Sequence, residues 1–162
     1  MDHKTWLVVA LITMVTGMVL MVATGQPARQ QLLDEVQLSS DGEQVLIVIS
    51  MTVPVRYLRR FPYEPSKELR INVELVAISP GDRDGIFQRE TIRPTCSDVI
   101  SLQEVIYEGD IPGNQYITLM FGKEMPLNVS QGRDSRSVIV ALNDTRLARK
   151  LAECLALDKK EE

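Results

Sequence analysis

Residues 69–73 read Leu-Arg-Ile-Asn-Val, with apolar and polar side chains exchanging at every step. A period of two belongs to an extended strand with one buried face, because successive side chains leave a strand on opposite sides. The same period governs 44–53 (QVLIVISMTV), where Val45, Ile47 and Ile49 share a face and β-branched residues dominate. Asp41-Gly42 is a turn signal that joins this strand to a shorter one at 35–39. Further short strands are expected at 69–78, 99–107, 115–121, 127–130 and 137–142. Gly109, Pro112-Gly113, Gly122 and Gly132 punctuate them, and 79–85 (SPGDRDG) reads as a loop. Short strands with turns between them make an all-β chain, a small antiparallel β-sandwich or a barrel.

The strands also hint at an internal pseudo-twofold duplication. Val45-x-Ile47-x-Ile49 followed by Pro54-Val55 matches Ile117-x-Leu119-x-Phe121 followed by Pro126-Leu127. After a turn, Leu69-x-Ile71-x-Val73 matches Val138-x-Val140-x-Leu142. Proline at the same place in both copies marks a corner where the chain leaves one sheet. Chance similarity between alternating strands is the competing reading.

Both ends depart from this period. Residues 5–28 carry no charged side chain, and 6–23 (WLVVALITMVTGMVLMVA) are almost wholly apolar. At about 1.5 Å per residue, 5–28 would make about 36 Å of helix, enough for a hydrocarbon core of about 30 Å. Lys4 before it and Asp34 and Glu35 beyond it favour a cytoplasmic N-terminus, with the rest of the chain across the membrane. Ala23-Thr24-Gly25 also fits a signal-peptidase site, so 1–29 is either a signal peptide or an N-terminal membrane anchor. At the other end Asp144 offers a helix cap. Leu147, Leu151, Cys154 and Leu155 then recur with helical spacing, giving an amphipathic helix over 143–157 before the charged tail 158–162. Such a helix either packs on the sandwich or opens a following module. Residues 30–142 form the β domain.

A chain of 162 residues with net charge −4 has no basic excess for a nucleic-acid partner. His3 is its single histidine, so the usual zinc sites and a histidine base inside the fold are excluded. No metal, cofactor or catalytic group is expected, and the chain reads as a non-enzyme. If the far side of the membrane is oxidising, as in a bacterial envelope, Cys96 and Cys154 either form a disulfide or stay two buried thiols, and the sequence leaves both open.

The Asp41-Gly42 hairpin, the QVLIVIS strand and the unit PVRYLRRFPYEPSKELRINVEL carry a resemblance. So do Tyr116 to Phe121 (YITLMF), Pro126-Leu-Asn-Val129 and GRDSRSVIVAL at 132–142. Over residues 34–142 the chain resembles the AMIN family, small β-sandwich modules of the bacterial cell envelope found beside cell-wall amidases and in pilus secretins. The resemblance implies a periplasmic module that binds peptidoglycan or neighbouring envelope proteins. It departs from the family at Asn72, where an acid is usual, and in a long segment at 79–96.

The densest basic and aromatic cluster is Arg56, Tyr57, Arg59, Arg60 and Tyr63, with Phe61 among them. Guanidinium forks suit the carboxylates of wall peptides, and tyrosine rings can stack on sugars. Arg133 and Arg136 stand at the corresponding corner of the second half. The plain alternative is pairing with Glu64, Glu68, Asp134 and solvent at loop tips. Glu104, Glu108 and Asp110 are expected as solvated strand residues rather than a glycosidase pair. The 80–85 stretch lacks the distal ligands of a calcium loop, and 128–130 and 143–145 match the glycosylation sequon. The expected function is peptidoglycan binding. The alternative is a protein–protein adaptor of a secretion, pilus or division complex, using a strand edge and the C-terminal helix.

Overall fold

A computed structural model describes residues 31–76 and 78–159. The apolar run at 6–23, with the signal-or-anchor expectation, lies outside the described residues, as do the last three residues of the tail. Among the described residues no helix is long and apolar enough to cross a membrane.

Among the described residues nine strands form: β1 (Leu33–Ser40), β2 (Val45–Met51), β3 (Val55–Phe61), β4 (Ser66–Leu75), β5 (Arg89–Ile92), β6 (Leu102–Glu108), β7 (Gln115–Met125), β8 (Leu127–Gln131) and β9 (Ser137–Leu142). Two helices, α1 (Arg83–Ile86) and α2 (Thr145–Asp158), complete the described elements with two 3-10 turns. The strands make two antiparallel sheets, ordered β1-β2-β9-β8 and β3-β4-β7-β6-β5. Alternation does what it promised: Val45, Ile47, Ile49 and Met51 of β2, and Leu69, Ile71 and Val73 of β4, all turn into one core shared by both sheets. Tyr107 is wholly buried there, and its hydroxyl donates to the Ile86 carbonyl at 2.9 Å.

β1–β4 and β6–β9 trace the same path with the sheets exchanged. In each, a hairpin ends in a central strand, the chain crosses at a proline to an edge strand of the opposite sheet, and it returns beside it. The register differs by two residues. Val45 faces Leu142, and the matched Ile117 faces Ile71 rather than Val73. An even slip keeps every side chain on its own face, so the core tolerates it.

Two strands lie where none was expected. β3 hides its alternation because a bulge between Tyr57 and Arg59 inserts a residue and shifts the period. β5 is four residues long, too short to show a period, and follows α1, which itself begins inside the 79–85 stretch expected to be a loop. The expected strand at 99–107 begins instead with a 3-10 turn, Ser97–Ile100, before β6.

α2 packs into the core, as one of the two expectations had it. Asp144 caps it, its carboxylate accepting from the Leu147 amide at 3.0 Å. Leu147, Ala148 and Leu151 are buried, and the helix packs on β1, β2 and the 97–100 turn. Each buried leucine contributes about 1.5–3 kcal/mol. Cys96 and Cys154 are joined by a disulfide with their Cα atoms 6.1 Å apart, tying α2 to the segment after β5.

Two side chains stitch the sheets together along their open sides. Between edge strands β3 and β8, the Gln131 amide accepts from Tyr57 N at 2.7 Å and donates to the carbonyls of Val55 and Ser137 at 3.0 Å each. Between β5 and β1, the buried Glu90 carboxylate accepts from the amides of Leu32 (2.9 and 3.0 Å) and Leu33 (2.7 Å). Charge-assisted bonds of this kind are the stronger class, and they fix where the chain enters β1.

Candidate functional site

The arginine cluster sits on an edge strand, not at loop tips. Arg56 faces Glu74 across β3–β4 and forms an ion pair with it, both side chains well exposed. An exposed pair of this kind adds at most about 1 kcal/mol. Beyond the bulge, Arg59 stands opposite Asn72, Arg60 opposite Ile71 and Phe61 opposite Arg70. The Arg60 guanidinium lies 5.6 Å from the Tyr63 ring centroid and donates to the Tyr63 carbonyl at 3.4 Å. Tyr63 is 67% exposed and follows the cis Phe61–Pro62 bond. Burial pushes the half-buried Tyr57 phenol above its ordinary pKa, Arg60 opposing and Tyr63 adding to the rise.

Arg133 and Arg136 project from the β8–β9 turn, which the fold lays against the first proline corner. The Ser135 carbonyl accepts from Val55 N and the Arg136 carbonyl from Met51 N, both at 2.8 Å. The turn consumes its own acid: Asp134 accepts from Arg136 N at 3.0 Å and from the Ser137 hydroxyl at 2.6 Å. The Ser137 hydroxyl and the Arg136 amide hold its carboxyl below the usual range. Among the described residues Glu64, Glu68 and Asp134 form no ion pair with these arginines, which leaves solvent as the partner in the plain alternative. Among the described residues Arg59, Arg60, Arg133 and Arg136 have no carboxylate within 4.0 Å. Arg56, Tyr57, Arg133 and Arg136 gather at one end of the β3 edge, and Arg59, Arg60 and Tyr63 lie further along it.

A second cluster, on the outer face of the larger sheet, corrects the expectation for Glu108. It is buried rather than solvated, bonded to Arg70 (2.9 Å), Arg89 (2.8 Å) and Thr118 (2.6 Å). Burial pushes its carboxyl up, but Thr118, Arg70 and Arg89 outweigh that and hold it below the ordinary value. A glycosidase acid needs the opposite shift. Asp110 is spent on Arg89 at 3.3 Å. Arg70 stacks over Tyr116, 4.5 Å from its centroid, with Phe61 at 5.8 Å. Its alternation placed Arg70 outward, but nothing local revealed that β6 and β7 would bring Glu108 and Tyr116 beside it. No group of three or more His, Cys, Asp or Glu side chains is arranged to hold a metal ion among the described residues.

A groove of about 640 Å³ lies beside β1. Residues 35–40 all line it, whichever way their side chains point, so the strand's backbone edge forms one wall. Pro94 and Thr95 form a second wall, and Ala152, Leu155 and Asp158 of α2, with Lys159 that caps it, a third. The Cys96–Cys154 disulfide joins the second wall to the third.

Comparison with protein-family models, with curated proteins and with solved structures gives no match to this chain.

Proposed function

We propose that the chain is a non-catalytic module of the AMIN type, on the periplasmic side of a bacterial inner membrane, that engages peptidoglycan through the arginine edge of β3. Residues 1–29 deliver it there, either as an anchor through 6–23 or as a signal cleaved near Gly25. The parallel paths of β1–β4 and β6–β9 support the sandwich and its duplication. The observation that carries the binding reading is that Arg59, Arg60, Arg133 and Arg136, from two distant stretches of sequence, lie along one edge with no carboxylate partner among the described residues. Their forks meet the carboxylates of wall peptides, and the exposed Tyr63 ring offers a stacking face for sugar.

Sedimentation of residues 30–162 with purified sacculi tests this. Binding should weaken from low to moderate salt, because exposed charges are screened over about 10 Å at 0.1 M. The triple variant Arg56→Ala, Arg59→Ala, Arg60→Ala should bind at least about tenfold less, since exposed charged contacts contribute about 0.5 kcal/mol or more each. Wild-type binding by a folded triple variant would end the assignment.

The adaptor reading keeps one specific support: the β1 edge and α2, far apart in sequence, wall the same groove. Deleting 144–162 is a poor test of it, because that removes Leu147, Ala148, Leu151 and the disulfide from the fold. Substitution of an exposed groove residue is the sound alternative.

A further inference from the structure

We propose that the groove beside β1 takes an extended, basic segment of a partner protein, which adds to the sheet as an extra strand. The inference rests on the adaptor reading and specifies its ligand.

The ladder shows which backbone groups are on offer. Gly132 N donates to Ser137 O, and Met51 N to Arg136 O, each at 2.8 Å, which sets the alternation across β8, β9 and β2. Carried through the β2–β9 and β1–β2 registers, it turns the amides and carbonyls of Glu35, Gln37 and Ser39 toward β2. Those of Val36, Leu38 and Ser40 therefore face the groove. The bond from Asp41 N to Gln44 O closes the hairpin in the same phase. Among the described residues no backbone bond meets those outward groups.

The other sheet edges are handled differently. β3 and β8 are bridged by Gln131, and β5 is tied to the start of β1 by Glu90. Past Glu90 the seam between the sheets opens into the groove. It is wide enough to be lined on three sides, and α2 supplies Leu155 and Ala152 as an apolar wall. A strand edge beside a helix is a geometry that binds extended peptides through main-chain bonds, with side-chain pockets adding specificity.

Charge selects the occupant. The lining carries two acids, Glu35 and Asp158, against one base, Lys159; Asp34, Asp41 and Glu43 are exposed on β1 and its hairpin but stand outside the lining. The basic residues of α2, Arg146, Arg149 and Lys150, are not part of the lining. A second copy pairing β1 to β1 would bring these acids together, and like charges facing each other destabilise a strand pair. A segment alternating basic and apolar residues meets the acids with its charges and Leu155 with its apolar side chains.

The test uses the full chain and an end-capped heptapeptide alternating lysine and valine, with a glutamate–valine counterpart. Amide hydrogen exchange and fluorescence anisotropy are read together. The lysine peptide should slow exchange at Val36, Leu38 and Ser40 at least about tenfold, the amides of Gln37 and Ser39 being bonded to β2 already. The glutamate peptide should bind at least about tenfold more weakly, equivalent to about 1.4 kcal/mol. Ala152→Arg, at an exposed position on the helix wall, should abolish binding without unfolding the protein. Absence of protection at those three amides, or equal binding of both peptides, overturns the inference. If Ala152→Arg nonetheless loses a defined envelope partner on co-purification, the adaptor reading survives that failure. If the variant loses no partner, the adaptor reading falls separately.

Discussion

Replacing Cys96 and Cys154 together by serine removes a covalent link across 58 residues. Loop-closure entropy for a loop of this length is about 14 cal/mol/K, so the unfolded state gains freedom corresponding to about 4 kcal/mol at 25 °C. The native state should survive the change, because α2 keeps its Asp144 cap and its buried Leu147, Ala148 and Leu151. For a domain of this size a loss of 4 kcal/mol lowers Tm by about 15 °C. Guanidinium unfolding of residues 30–162, followed by circular dichroism, measures the effect. The double variant should show a lower midpoint and a steeper denaturant slope, since its uncrosslinked unfolded chain exposes more surface. Reductant should bring the wild type to the same curve and leave the variant unmoved. A difference under about 1 kcal/mol would refute the loop-entropy argument, and reductant sensitivity of the double variant would show that the effect lies elsewhere.

The held-down carboxyl of Glu108 stabilises the fold above its unfolded pKa, near 4.5, and that contribution is lost as pH falls through the lower folded value. Glu108→Gln should therefore lower stability at pH 7, flatten the acid limb between about pH 5 and 3, and be read from denaturant midpoints across that range. Glu108→Ala, which leaves Arg70 and Arg89 facing an empty site, should cost about 3 kcal/mol at pH 7 by equilibrium unfolding. Gly109→Ala should cost about 2–3 kcal/mol in the same assay. A β-carbon there would lie 1.8 Å from the Ile86 carbonyl oxygen and 2.8 Å from the Tyr107 ring, so backbone has to move.

Reading the chain residue by residue was enough for whatever a short stretch encodes by itself. Period two placed β2, β4, β7 and β9 and chose their buried faces, because which side of a strand is apolar is a local property. Spacing of Leu147 and Leu151 behind Asp144 placed α2 for the same reason. The prolines at 54 and 126 marked the two crossings between sheets, and the matched patterns around them anticipated the repeated path.

Tertiary structure decided what those patterns leave free. A bulge hid β3, so its arginines read as a corner when they lie along an edge. Arg136 reached the first proline corner through a bond to Met51, and Glu108 found Arg70 across three strands. Whether Cys96 meets Cys154, and whether α2 docks or departs, depended on where the 97–100 turn and β1 came to lie. Alternation states which face a residue takes but not which strand will be its neighbour. Neighbours are chosen by the packing of the whole core, and every candidate surface on this protein is built from neighbours.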